Sequence, residues 1–381
     1  MQLQDIKVLF LQHKEDQLSH RYITNKDIEP LLEKLSKHVQ VETIGKSVLS
    51  HPIYGLKIGS GKKRILMWSQ MHGNESTTTK AIFDLLNSFL DSKTELNYIL
   101  EACTLYIIPI LNPDGALAYT RINANQVDLN RDAQNRTQPE SVVLRNAFEK
   151  FKPHFCYNLH GQRTIFSAGN TNKLATVSFL APAQDEACTV TPNRKIAMEV
   201  IGVMNSALQG IIPDQVGVYD DAFNLNCVGD TFQSENVPTI LFEAGHSAND
   251  YGREVTRELI YISYLASLDY IAKTEVTGSA YEPYFTIPEN GKCFLDFIIR
   301  NAKVNGILVD VGVLFQERLI DNKVKFIPKI EKIEKLNAFY GHKEIDAKGV
   351  AIYNGEGGEL EIGYENVFVI LNNEKLLLLS K

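Results

Sequence analysis

Two histidines and two glutamates are the residues of this chain whose types and spacing could do chemistry. His72 and Glu75 stand in the sequence His-Gly-Asn-Glu, while His160 and Glu243 each end a later apolar run. Imidazole nitrogens and a carboxylate are ligands of catalytic zinc ions, which keep a fourth coordination position open for water or substrate. His72, Glu75 and His160 therefore predict a zinc site, provided that they meet in the fold.

The segments that precede these residues have the pattern of buried strands. The apolar runs at 64–69, 155–159 and 237–242 are short, and residues 76–90 have the periodicity of an amphipathic helix. Open α/β sheets bind ligands beyond the carboxyl ends of their parallel strands, so strand ends are a sensible place for such a site. Glu243 is not needed as a zinc ligand, because the other three residues complete the set. It is therefore the natural candidate for the general base.

These residues could also have a structural role without any metal. A His-x-x-Glu pattern arises often by chance, and a histidine that ends a strand is usually a hydrogen-bonded structural residue. Three polar residues that each stand at the end of a buried strand are much harder to explain by chance. The metal-site hypothesis is therefore the preferred one.

Further motifs lie between the first two metal candidates and the third. They are Asn-Pro-Asp-Gly at 112–115, Arg121, and Val-Asp-Leu-Asn-Arg-Asp at 127–132. With His-x-x-Glu, His160 and Glu243 they form an ordered set that resembles the zinc carboxypeptidase family over about residues 64–273. The ordered set is specific, whereas Asn-Pro-Asp-Gly alone is only a good turn.

The resemblance implies a catalytic role for each matching residue. His72, Glu75 and His160 would hold one zinc ion. Glu243 would activate a water molecule at the metal and pass its proton to the leaving amine. Arg121 would stabilise the oxyanion of the tetrahedral intermediate, a task suited to a fixed cation in a water-poor site.

The resemblance also implies residues that bind substrate. Asn130 and Arg131 would hold the terminal carboxylate, because a guanidinium group matches a carboxylate with two parallel hydrogen bonds. An ion pair of Arg131 with Asp128 or Asp132 is the alternative. Tyr219 is a candidate for the family's mobile tyrosine, and a core tyrosine fits its spacing nearly as well.

Two departures from the digestive members of the family leave the substrate open. Those enzymes have Arg where this chain has Asn74, and Asn where this chain has Asp132. The motifs also resemble the related deacylases, succinylglutamate desuccinylase and aspartoacylase. The prediction is a zinc metallocarboxypeptidase that hydrolyses a peptide bond next to a free carboxylate, with a deacylase of N-acyl amino acids or an inactive carboxylate-binding module as alternatives.

Alternating strand and helix patterns predict an α/β fold with a mixed, mostly parallel sheet flanked by helices. We expect an N-terminal helical segment at 1–45, a catalytic domain at 46–274 and a β-rich C-terminal domain at 275–381. Gly59 to Lys62 is interpreted as a hairpin turn into the next strand. The predicted strands are at about 64–70, 104–110, 155–160 and 238–243, and the predicted helices at about 76–91, 139–151, 191–209 and 252–273.

Composition and charge restrict the binding partners and the cellular compartment that we expect for this protein. A net charge of −7 without any Lys/Arg run argues against nucleic-acid binding. No apolar stretch approaches the ~20 residues that cross a bilayer, and the first residues lack the pattern of a secretory signal. The five cysteines are scattered, which predicts reduced, mostly buried thiols. We therefore expect a cytoplasmic protein, with no membrane partner, that acts on a peptide or an N-acyl amino acid; its oligomeric state stays open.

Overall fold

The computed structural model describes residues 3–378, which form a large α/β region followed by smaller β-sheets. The helices are α1 (Leu3–His13), α2 (Asn25–Leu35), α3 (Thr77–Leu90), α4 (Asn97–Ala102), α5 (Pro113–Ala118), α6 (Pro139–Phe151), α7 (Pro192–Gln209), α8 (Val228–Ser234) and α9 (Glu254–Lys273), with 3-10 turns at Leu129–Arg131 and Glu282–Thr286. The strands are β1 (Gln40–Lys46), β2 (Pro52–Gly59), β3 (Lys63–Ser69), β4 (Cys103–Ile108), β5 (Phe155–Gly161), β6 (Ser167–Ala168), β7 (Val177–Leu180), β8 (Val216–Val218), β9 (Thr239–Ala244), β10 (Asn290–Gly291), β11 (Phe294–Val304), β12 (Ile307–Ile320), β13 (Lys323–Glu334), β14 (Tyr340–Asp346), β15 (Ile352–Tyr353), β16 (Phe368–Leu371) and β17 (Glu374–Leu377).

An eight-stranded sheet lies at the centre of the α/β region, in the order β1-β2-β4-β3-β5-β9-β7-β8. The four middle strands β4, β3, β5 and β9 are parallel. β1 and β2 are antiparallel to each other, β2 is antiparallel to β4, and β7 is antiparallel to β9. This confirms the predicted mixed, mostly parallel sheet, and the predicted strands and helices match observed ones to within a few residues.

Helices cover both faces of the sheet, which explains the continuous apolar runs of the central strands. Successive side chains of a strand point to opposite faces. In β3, Ile65 and Met67 belong to the core that includes residues of α3, α7 and α9, whereas Leu66 and Trp68 belong to the core that includes residues of α6 and α8. A strand buried on both faces reads as an uninterrupted apolar segment.

One feature near the start of the chain differs from the expectation. The segment Gly59 to Lys62 is not a hairpin turn, because β4 lies between β2 and β3 and pairs with both. Gly61 instead packs against another backbone segment, so closely that a Cβ atom there would lie 1.9 Å from the carbonyl carbon of Ala102. After the helices α1 and α2, the chain continues as the edge strand β1.

The C-terminal part of the chain is β-rich, as predicted. β13-β12-β11-β14 form a four-stranded sheet and β15-β16-β17 a three-stranded one. The two sheets share a core that includes Phe297, Val313, Ile330 and Val369. The proposed domain boundaries at 45 and 274 remain a prediction.

Two further expectations concern the burial of the cysteines and the presence of membrane-spanning segments. All five cysteines are free thiols; Cys103 and Cys156 are buried, while the other three are half-buried. Burial was therefore predicted correctly for two of them. Within residues 3–378 no helix combines the length and the apolar character needed to span a bilayer.

Candidate metal centre and active site

His72, Glu75 and His160 converge on one point. His72 Nδ1 lies 2.9 Å from Glu75 Oε1, and His160 Nδ1 lies 3.0 Å from both His72 Nδ1 and Glu75 Oε2. Zinc bonds of about 2.0–2.1 Å in a tetrahedron would separate ligand atoms by roughly 3.3 Å, so this donor set and spacing fit a zinc ion. Among the described residues it is the one group of three or more His, Cys, Asp or Glu side chains found close enough to share a metal.

The loop that carries the first two metal candidates is held in place by the Asn-Pro-Asp-Gly motif. Asn112 caps α5, since its Oδ1 accepts a hydrogen bond from Gly115 N at 2.8 Å, and its Nδ2 donates to Met71 O at 3.1 Å. Gly73 packs on this helix so tightly that a Cβ atom would lie 1.9 Å from the carbonyl carbon of Gly115. The motif is therefore the start of a helix that fixes the ligand loop, rather than an isolated turn.

Asp128 is a candidate functional residue that sequence reasoning did not assign. Its Oδ1 lies 3.1 Å from His72 Nε2, and its Oδ2 accepts from Arg121 Nε at 3.0 Å. Burial opposes its ionisation, but the hydrogen bond with His72 and the charge of Arg121 outweigh burial and lower the pKa of Asp128. A carboxylate on the far nitrogen of a metal-binding histidine fixes the ring and its tautomer. Its position at the head of the Asp-Leu-Asn-Arg run was the available signal.

Arg121 lies beside the metal candidates. Its Nη1 is 3.5 Å from Glu75 Oε1 and 3.2 Å from His72 Nδ1, and about half of its side chain is exposed. Asp128 holds the guanidinium group from the other side. A permanent positive charge therefore lies next to the metal candidates.

Glu243 stands next to His160 because of the strand register. In the parallel pair of β5 and β9, His160 is the partner of Glu243. The Oε2 atom of Glu243 is buried and has no hydrogen-bond partner within the described part of the chain. Burial, and next the charge of Glu75, raise the pKa of Glu243 well above its ordinary value. A carboxylate in this environment accepts a proton more readily than one in water.

A cavity of about 430 Å³ brings the predicted site residues together. Arg131 has no ion pair among the residues described; its Nη1 donates to Asn130 O at 2.7 Å. Asp128 is engaged by His72 and Arg121, and Asp132 accepts hydrogen bonds from residues 137 and 138, so the alternative ion pairs of Arg131 do not form. The cavity is lined by all eight predicted residues: His72, Glu75, Arg121, Asn130, Arg131, His160, Tyr219 and Glu243.

Tyr219 lies at the cavity and is half-buried, so it is not a residue of the core. Its ring packs against Phe166 with 5.2 Å between ring centres. Burial, and next the charge of Glu243, raise the pKa of its hydroxyl group. Asn224 and Asp230 line the same cavity, and burial raises the pKa of Asp230 to about 7.

Comparison with known sequences identifies a domain within the chain. The sequence model described as zinc carboxypeptidase matches residues 24–209, which contain His72, Glu75 and His160. The chain contains a zinc carboxypeptidase domain. The resemblance inferred from the ordered motifs is thereby confirmed. Glu243 lies beyond the matched residues.

Named relatives of the zinc carboxypeptidase domain are only partly similar. Carboxypeptidase SOL1 of Arabidopsis thaliana is 31% identical over 168 residues, which cover 38% of this chain and 34% of the plant protein. Carboxypeptidase M of Mus musculus is 24% identical over 180 residues, which cover 39% of this chain and 41% of the mouse protein. The chain thus spans well under half the length of these relatives, so the matches identify the domain and not the activity of the whole protein.

Solved structures support the zinc carboxypeptidase fold. A metallo-carboxypeptidase from Burkholderia cenocepacia aligns with a TM-score of 0.52 at 18% identity, over 65% of this chain and 69% of the bacterial one. Bovine thrombin-activatable fibrinolysis inhibitor, solved with a tick carboxypeptidase inhibitor, aligns with a TM-score of 0.52 at 14% identity, over 66% of this chain and 98% of the bovine one. At these identities the likeness concerns the fold alone.

Proposed function

We propose that this protein is a zinc-dependent carboxypeptidase that hydrolyses a peptide bond next to a free C-terminal carboxylate. One observation carries the proposal: the metal candidates and Glu243 lie in a cavity that also contains Asn130 and Arg131. Removal of a C-terminal residue requires a hydrolytic centre and an anchor for the carboxylate within one residue's reach. This cavity contains groups of the right chemistry for both tasks.

The metal would be held by Nδ1 of His72, Nδ1 of His160 and the carboxylate of Glu75. A zinc ion bound there supplies Lewis acidity and lowers the pKa of water to about 7. Hydrogen bonds within the chain help to hold the three side chains in place for the metal. Gly161 N donates to Glu75 Oε2 at 3.0 Å, and Asp128 holds the outer nitrogen of His72.

Glu243 would act as general base and then as general acid. Its Oε2 has no partner to compete with a proton taken from the attacking water, and the same proton can pass to the leaving amine. Arg121, fixed by Asp128, would donate hydrogen bonds to the carbonyl oxygen as negative charge develops on it. The hydrogen bond between Arg121 Nε and Asp128 can stay in place during this step, because Nη1 and Nη2 are the groups that would face the substrate.

Arg131 and Asn130 would anchor the substrate. Arg131 keeps most of its guanidinium donors free, since only Nη1 is used by a neighbouring carbonyl. The Oδ1 atom of Asn130 accepts from Val228 N at 3.0 Å, which leaves the amide NH₂ group to donate to the substrate. Tyr219, at the same cavity, would close over the bound residue.

The proposal is tested with three substrates that carry the same C-terminal residue: an N-blocked dipeptide, its C-terminal amide, and the N-acyl amino acid. We expect hydrolysis of the dipeptide, little of the amide, and a KM that rises in Arg131→Ala for the free acid. Arg136→Ala is the control, because Arg136 is an exposed arginine of the same loop that does not line the cavity. Hydrolysis of the N-acyl amino acid alone would replace the peptidase by a deacylase.

A further inference from the structure

A second cavity adjoins the first at the metal centre. It has a volume of about 360 Å³ and shares Glu75, Arg121 and Arg163 with the first cavity, but not Asn130, Arg131 or Tyr219. Its outer wall comes from the C-terminal strands, and its inner wall from the α/β region. The outer wall consists of Asp296, Phe315, Gln316, Glu317 and Phe326.

We propose that this cavity binds the acyl side of the substrate, and that Arg163 together with Arg21 makes it select acyl groups that carry a carboxylate. The inference rests on the proposed function. An amide held at the metal centre has two sides, and the carboxylate anchor occupies the first cavity. The acyl portion must then leave the centre through the space that begins at Glu75 and Arg121 without passing the anchor.

The acidic residues of the wall are already engaged. Asp296 Oδ1 accepts from the hydroxyl group of Tyr251 at 2.8 Å, and its Oδ2 accepts from Phe315 N at 2.7 Å. Glu317 Oε2 accepts from Arg21 Nη2 at 2.9 Å and from the hydroxyl group of Tyr119 at 2.6 Å. Both oxygens of Asp296 are therefore hydrogen-bonded within the protein, and the charge of Glu317 is paired with that of Arg21.

The free hydrogen-bond donors of the cavity include two guanidinium groups, while Asn74 Oδ1 is an acceptor of the same cavity that is buried without a partner among the described residues. Arg163 is exposed and has no ion pair or side-chain hydrogen bond among residues 3–378. Arg21 is 9% exposed, and its Nη1 is buried without a partner in the described structure. Buried polar groups are normally satisfied, so an unsatisfied guanidinium nitrogen in a cavity wall points to a ligand that accepts hydrogen bonds. A carboxylate matches a guanidinium group best.

Two kinds of acyl group carry a carboxylate of this type. One is an aspartyl or glutamyl residue that precedes the scissile bond, and the other is a short dicarboxylic acid attached through one of its carboxyl groups. In either case Phe315 and Phe326 offer apolar surface to the carbon chain. The shared feature is a negative charge on the acyl side, beyond the carbonyl that is attacked.

The test uses two matched substrate pairs with one common leaving amino acid. The first pair is N-acetyl-Glu-X and N-acetyl-Gln-X; the second is N-succinyl-X and the succinamide derivative of X. We compare kcat/KM within each pair for the zinc-loaded protein, Arg163→Gln, and the control Arg136→Gln. Since hydrogen bonds to charged groups exceed neutral ones in strength, we expect about a tenfold preference for the charged member. The preference should decrease towards one in Arg163→Gln, stay in Arg136→Gln, and weaken with added salt.

The outcomes separate the subsite from the proposed function. An Arg163-dependent preference in either pair supports the subsite and identifies which source of the carboxylate it accepts. Equal kcat/KM within both pairs, or a preference that survives Arg163→Gln, overturns the subsite while leaving the hydrolase intact. Binding of the same pairs to Glu243→Gln is measured by calorimetry. If no substrate is hydrolysed but the charged members bind more tightly through Arg163, the proposed function fails and the subsite stands.

Discussion

The carboxylate of Glu243 is unusual among the acidic residues of the site, because one of its oxygens is buried without a partner. Glu75 and Asp128, by contrast, are each held by two other site residues or backbone groups. A carboxylate that is engaged on both oxygens orients its partners, whereas one with a free oxygen can exchange a proton. This difference in environment supports the proposal that Glu75 and Asp128 position other groups and that Glu243 carries the proton.

Replacing Glu243 with Gln should separate metal binding from catalysis. The amide keeps the size of the side chain but cannot take a proton, so we expect kcat to decrease by a factor of about 10²–10⁴ with zinc content unchanged. Turnover and zinc stoichiometry are measured on the same preparation. Glu289→Gln serves as the control, because Glu289 is an exposed glutamate that lines neither cavity. Turnover close to that of the unmodified protein would remove Glu243 from the mechanism.

The residues at the ends of strands could be predicted from the sequence, and those that depend on distant partners could not. His72, His160 and Glu243 stand next to apolar runs, so their meeting at one edge of the sheet follows from the topology of parallel strands. The role of Asp128 depends on which nitrogen of His72 faces the metal, which only the folded loop determines. No sequence pattern singles out Arg163, because the cavity that it lines is formed by two separate parts of the chain.

At the scale of elements, a buried ion pair joins α3 to α9. Asp84 of α3 and Arg257 of α9 are both fully buried; Arg257 Nε donates to Asp84 Oδ2 at 2.6 Å. Arg257 also donates to the carbonyl groups of Leu18 and Glu15, which tie the segment after α1 to the same point. Because α3 begins directly after the loop that carries two metal candidates, this pair contributes to the position of the ligands.

Removing one partner of this pair should destabilise the fold strongly. Arg257→Met leaves the charge of Asp84 buried and uncompensated, so we expect the free energy of unfolding to decrease by about 3–5 kcal/mol. The double variant Asp84→Leu, Arg257→Met should recover part of this loss. Urea unfolding measures both. As a control, Arg318→Met breaks an exposed pair with Glu365 and should change stability by about 1 kcal/mol or less. A single variant as stable as the double one would contradict a stabilising role for the pair.

The elements themselves were predictable, but their pairing was less so. Apolar periodicity marked the central strands and the long helices to within a few residues, since burial on one or both faces leaves a local pattern. No local pattern of this kind indicates which strand pairs with β2. The segment Gly59 to Lys62 has the glycines of a hairpin turn, yet β2 pairs with β4, which is separated from it in sequence by β3 and two helices. Long-range pairing of this kind is decided by packing, not by the turn.

At the scale of the whole molecule, the C-terminal strands pack directly against the α/β region near the site. The ring of Tyr251 lies 5.4 Å from that of Phe315 and 5.1 Å from that of Phe326, and its hydroxyl group donates to Asp296. The sequence predicted a β-rich tail but left its role open. Its position follows from contacts between residues that are far apart in the chain, so local patterns do not contain it.

Loss of the Tyr251 hydroxyl group should weaken this contact. In Tyr251→Phe the ring contacts remain, but Asp296 loses one donor, so we expect the free energy of unfolding to decrease by about 1–2 kcal/mol. Thermal or denaturant unfolding checks the value. Tyr353→Phe is the control, because Tyr353 is an exposed tyrosine of β15 and should tolerate the change. Equal stability of the two variants would show that the hydrogen bond does not hold the two parts together.

Calorimetric titration of the chelator-treated protein with Zn²⁺ tests most directly whether His72, Glu75 and His160 form a catalytic metal site. We expect one zinc ion per chain, no binding at that site in His160→Ala, and undiminished binding in Glu243→Gln and in the control His38→Ala, since His38 is an exposed histidine. Zinc binding that persists unchanged in His160→Ala, or no zinc binding by the unmodified chain, would contradict the metal site and the hydrolysis that depends on it.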